Sequence, residues 1–103
     1  MGKGKVAAQV GHAAVQATLK SGELRPESLD AWLSTGQKKI CVKAEDANHI
    51  ESIERDANQH QILTSKVYDA GHTQIPSGSL PVLALGPDEE EKLDNLTGKL
   101  KLL

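Results

Sequence analysis

Aromatic residues are nearly absent from this sequence, which holds no Phe, one Trp (Trp32) and one Tyr (Tyr68) in 103 residues. Any core must therefore be built from Val, Ile, Leu and Ala, within an apolar fraction of 38%. Cysteine is as scarce: the lone Cys41 excludes an internal disulfide framework and fits a reducing compartment. No apolar run approaches the roughly 20 residues that span a bilayer. The start is too polar for a signal peptide, so a cytoplasmic protein with no membrane association is expected. His12, His49, His60 and His72 lack metal-ligand spacing and Cys41 has no partner, so no metal is expected. A nucleophile-elbow G-x-S-x-G is missing as well.

Net charge is only −2, which argues against a strongly basic nucleic-acid binder. Its distribution is uneven. Residues 1–43 hold seven Lys/Arg against three acids, and residues 44–103 hold five against eleven. Such asymmetry can set a cationic face on an acidic protein.

Helical spacing of Val6, Val10, Ala13, Ala14 and Ala17 predicts a helix over residues 5–20, closed by Ser21-Gly22. Pro26 suits the first turn of a second helix, with Leu29, Trp32 and Leu33 on one side and Gly36 at its end. Residues 39–43 alternate and are β-branched, which predicts a strand. Asp46 is the expected N-cap of a third helix, whose buried stripe is Ala47, Ile50, Ile53 and Ala57. A second strand follows over 63–68 and a Gly/Pro/Ser-rich loop over 69–79. A third strand is read over 81–85, apolar enough to be central or well covered. Asp88 and Glu91 have capping-box spacing before a short helix that ends at Gly98. The order is that of a single α/β domain over 1–103 with helices packed on a small sheet. Three strands are few for four helices, and the first helix begins almost at residue 1. A strand preceding Met1 would remedy both.

Chemistry concentrates in two stretches. The opening MGKGKVAAQVGHA lacks the strand and the Ser/Thr of a phosphate-binding P-loop, and the third glycine of a dinucleotide fingerprint. Read as a helix, it lines up Lys5, Gln9, His12 and Gln16 on one face, opposite the Val/Ala stripe. Lys3 stands beside them at the helix start, where free N–H groups favour anions. The second stretch, DAGHTQIPSGS, follows a strand, a position where catalytic groups are often mounted. There Asp69 can orient a cation or accept a proton, and the Thr73 hydroxyl can position water. A plain solvated helix face and a self-capping turn are the bland alternatives.

Taken with GQKKICVKA, VLALGP and LTGKLKLL, these stretches resemble the type-2 peptidyl-tRNA hydrolase family of archaea and eukaryotes, in order and spacing across all 103 residues. The resemblance implies a mixed β-sheet flanked by helices on both faces, three strands present here and the family's N-terminal strand missing. It implies an enzyme that cleaves the ester between a peptide and the terminal ribose of tRNA, recycling tRNA from stalled translation without a metal or organic cofactor. Its substrate is peptidyl-tRNA, and a homodimer is compatible with it. The family's conserved cluster falls on Lys5, His12, Asp69 and Thr73, with substrate contacts from Lys3, Gln9, Lys38, Lys39, Gln74 and Ser79. Two residues depart from the pattern: Pro81 replaces a threonine near the site, and His72 stands where arginine is common. These departures and the absent strand leave a second reading, a catalytically weakened RNA- or protein-binding module. An unrelated small esterase is the third.

Overall fold

A computed structural model describes residues 2–68 and 80–103. Met1 and residues 69–79, with the expected site residues Asp69, Thr73, Gln74 and Ser79 and the departure His72, lie outside the described residues. The elements are α1 (Lys3–Leu24), α2 (Pro26–Ser34), α3 (Ala47–Gln59), β1 (Thr64–Val67), β2 (Val82–Leu85) and α4 (Glu90–Thr97).

Helix α1 runs one turn past the expected stop at Ser21-Gly22. Ser21 is completely buried and its hydroxyl donates to the Thr18 carbonyl at 2.9 Å. Gly22 serves contact with α2 and does not end the helix: a Cβ there would sit 3.4 Å from Leu29 Cδ2. Packing overrides the local stop signal. Pro26 then opens α2 as expected, and the turn after it places Gly36 at φ +106°.

Helix α3 begins as expected at Asp46, whose Oδ1 accepts the His49 N–H at 2.8 Å. His49 reciprocates one residue upstream of the cap, its Nδ1 accepting the Glu45 N–H at 3.0 Å, a variation on the capping box with imidazole in the usual place of a carboxylate. Ile50, Ile53 and Ala57 are buried, while Ala47 at the helix start is exposed.

Strands β1 and β2 pair antiparallel, Thr64 opposite Leu85 and Val67 opposite Val82. The first of the three expected strands, over 39–43, does not form. Among the described residues its only ladder contact is a single bridge, Val42 with Leu102, flanked by hydrogen bonds from Lys43 N to Lys101 O (2.9 Å) and Leu103 N to Cys41 O (3.1 Å). The propensity is present, but strand propensity alone makes no ladder without a paired neighbour. Among the described residues β2 pairs with β1 alone and is not a central strand: each of Val82 to Leu85 is only half-buried. The capping box expected at Asp88 is also absent. The N-cap position falls on Glu89, and Asp88 instead accepts the Glu89 N–H (2.7 Å) and pairs with Lys92 (3.2 Å).

A two-stranded sheet is about one helix diameter wide. Helices α1 and α3 each contact both strands and do not pack on each other, so they cover opposite faces. Lys66 points to the α3 face and pairs with Glu54 at 2.9 Å, while Ser65 and Val67 are buried on the other. The core is thin and aliphatic: Ala13, Ala17, Ile50, Ile53, Ala57, Ile62 and Val67.

The Lys66–Glu54 bond raises the lysine above its ordinary value near 10.5, chiefly through the hydrogen bond to the carboxylate. A raised lysine stabilises the fold fully below its unfolded pKa and loses that contribution as pH climbs through the folded one. Glu54→Gln should therefore lower stability by about 1 kcal/mol or less at neutral pH. Urea titrations from pH 7 to 11.5 should show the gap to the parent constant at first, then closing above about pH 10.5.

Candidate active site

Two lysines occupy the first turn of α1, Lys3 and Lys5, and no acid accompanies them. Gly2 at the N-cap has no side chain with which to satisfy the free N–H groups. The helix dipole disfavours cations at this end by about 0.3–1 kcal/mol each. A sequence chosen for helix stability alone would place Asp or Glu here. The arrangement brings two ammonium groups to the helix N-terminus, chemistry suited to an anion or a developing oxyanion. His12 lies exposed on the same side, two turns along and about 10 Å away.

The row expected on the solvated face is broken at Gln9. That residue is 6% exposed and belongs to the buried stripe with Ala13, Ala17 and Ser21. Its Nε2 donates to the Tyr68 carbonyl at 3.2 Å. Tyr68 is the last described residue before the 69–79 segment, so this bond joins the helix carrying Lys5 and His12 to the strand end from which that segment departs. Two more donors continue the seam: Lys20 Nζ reaches the Thr64 carbonyl (2.6 Å) and Arg25 Nη1 the Gln61 carbonyl (2.9 Å). Positions rising along α1 meet positions falling along β1, so the two run antiparallel. The eleven residues from Gln9 to Lys20 span about 16 Å of helix, close to the roughly 13 Å of strand between their acceptors.

Lys38 and Lys39, the other expected phosphate contacts, sit in the turn after α2. The Trp32 indole N–H anchors that turn by donating to the Lys38 carbonyl at 2.8 Å. The two lysines differ in electrostatic state. Lys38 is paired with Glu90 at 3.0 Å, a bond that raises its pKa, and is partly neutralised for any phosphate. Lys39 donates to the Gln37 carbonyl (2.7 Å) and lies 5.2 Å from the Trp32 ring centroid. Residue-type reasoning missed two features, the buried tether made by Gln9 and the accessible indole of Trp32. An amide at a helical step from Ala13 and Ala17 was a signal for the first, and the lone Trp for the second.

The sequence matches the family model for peptidyl-tRNA hydrolase PTH2 over residues 1–103. The chain belongs to this family. It is 48% identical over its whole length to a peptidyl-tRNA hydrolase of Thermoplasma acidophilum, covering 88% of that protein. It is 44% identical to one from Methanocaldococcus jannaschii (90% of that protein) and 45% identical to one from Thermococcus onnurineus (87%), again over all of this chain. In this PTH2 chain Gln9 carries a structural duty beside any substrate contact. Gln9→Leu keeps the volume and leaves the Tyr68 carbonyl without its donor, a loss of about 1–3 kcal/mol. For a domain of this size the thermal midpoint should fall by at least about 4 °C in a calorimetric scan.

Proposed function

We infer that this chain hydrolyses the ester that joins a peptide to tRNA, releasing tRNA from stalled translation. Family membership over the full length supports the reaction class. The observation that carries the site is the Gln9–Tyr68 hydrogen bond, because it draws the Lys5/His12 helix to the residue directly preceding Asp69.

The mechanism assigns each group by its chemistry. The Asp69 carboxylate holds the Lys5 ammonium and accepts a hydrogen bond from Thr73, whose hydroxyl positions the attacking water. Attack on the ester carbonyl builds charge on its oxygen. Lys5, with backbone N–H groups, stabilises that oxyanion. Collapse of the tetrahedral intermediate expels the ribose oxygen, and His12, having accepted the proton that the attacking water lost, delivers it to that oxygen. Lys3 and Lys39 meet phosphates and position the tRNA without reading its sequence. Gln74 and Ser79 complete the substrate contacts. The protein acts as one domain in the cytoplasm without a cofactor; among the described residues no helix is long and apolar enough to cross a membrane.

Single-turnover hydrolysis of a purified peptidyl-tRNA tests this assignment. Lys5→Ala, Asp69→Ala and Thr73→Ala should each lower the rate by about 10²-fold or more, the usual scale for losing an oxyanion donor or an acid–base group. Rates near the parent's in all three would end it.

A further inference from the structure

A groove of about 240 Å³ opens between α1 and α2, lined by Ala14, Val15, Thr18, Leu19, Trp32 and Lys39. Its floor leaves large aliphatic side chains in the open, Val15 at 61% and Leu19 at 69% exposure. The indole N–H of Trp32 is already satisfied by the Lys38 carbonyl, so what the ring offers a ligand is its π surface. We propose that this groove seats a nucleobase from the single-stranded 3′ end of tRNA, stacked on Trp32 with its phosphate at Lys39. The proposal rests on the hydrolase reading and adds to it a substrate subsite.

Charge decides the occupant. Lys39 stands at the rim and makes no ion pair among the described residues, whereas the charge of neighbouring Lys38 is answered by Glu90. An apolar peptide side chain would use the floor and leave this cation idle. A nucleotide uses both, since base stacking on an aromatic ring beside a lysine is how single strands are held without sequence preference. Position agrees. Lys5, His12 and Leu19 follow one another at seven-residue steps on α1, so the groove is the next station about 10 Å beyond His12 on the same helix face. The scissile ester is carried by the terminal ribose, and the unpaired nucleotides beside it are the part of tRNA that lies within that reach.

Trp32 is the only tryptophan, so its emission reports on the groove directly. Titration with the tetraribonucleotide ACCA should quench it saturably. Leu19→Asp and Lys39→Glu, both at exposed positions, should weaken ACCA binding about tenfold and raise the KM for peptidyl-tRNA by a similar factor. Trp32→Phe, which keeps a stacking surface, should retain most of the parent's affinity. Unchanged fluorescence with ACCA in a parent that still hydrolyses peptidyl-tRNA would overturn the proposal. So would an unchanged KM in both charge variants, or a KM rise confined to substrates with apolar peptides, which would make the groove a peptide subsite. Saturable quenching without turnover by the parent would sink the hydrolase reading and leave the nucleotide assignment standing.

Discussion

The seam between one helix and one strand holds this molecule in register. Two side chains of α1, Gln9 and Lys20, and that of Arg25 just past its end donate to three backbone carbonyls, those of Tyr68, Thr64 and Gln61, along the edge of β1 and the turn before it. A carbonyl at a sheet edge needs a donor, and here the donors come from the helix that carries the site's cations. The same bonds that satisfy the strand therefore fix where Lys5 and His12 sit relative to Tyr68, the last described residue before 69–79. A slip of one residue along the strand would lose all three bonds together, which is why the site geometry and the stability of the fold are linked.

This linkage matters because little else is available to fix the register. Without Phe and with a core of alanines, isoleucines and a valine, hydrophobic burial per residue is small, and a domain of this size is marginal on that account alone. Polar contacts at α3, its own Asp46–His49 cap and the Lys66–Glu54 pair that ties it to β1, are correspondingly valuable. At the start of α1 the priorities reverse. Two lysines and a bare glycine N-cap sacrifice local helix stability and gather cations at the helix start. Such local conflicts between propensity and charge are expected at functional sites.

Sequence patterning found the elements whose cause is local. Asp46 as a cap, Pro26 as a helix opener, and the Ile50/Ile53/Ala57 stripe all act within a turn or two of themselves, and each stands as expected. It failed where a partner distant in sequence decides. Residues 39–43 have strand propensity, yet among the described residues they make one bridge in place of a ladder. Gly22 reads as a stop and serves as a contact for Leu29. Asp88 reads as a cap and is taken by Lys92. Gln9 reads as surface chemistry and is buried against a carbonyl 59 residues away. The family was legible in its motifs, and the difference between Lys38 and Lys39 was not, because it is set by Glu90 across the fold.

The account depends on an ammonium and a carboxylate from distant parts of the chain acting as one unit on the ester. A double-mutant cycle on kcat/KM for peptidyl-tRNA, with Lys5→Met, Asp69→Asn and the combined variant, measures that dependence directly. Groups that act together are not additive. The predicted result is a combined variant scarcely slower than the worse single one. Additive losses, within about 0.5 kcal/mol, would show the two groups working independently and would contradict the proposed centre.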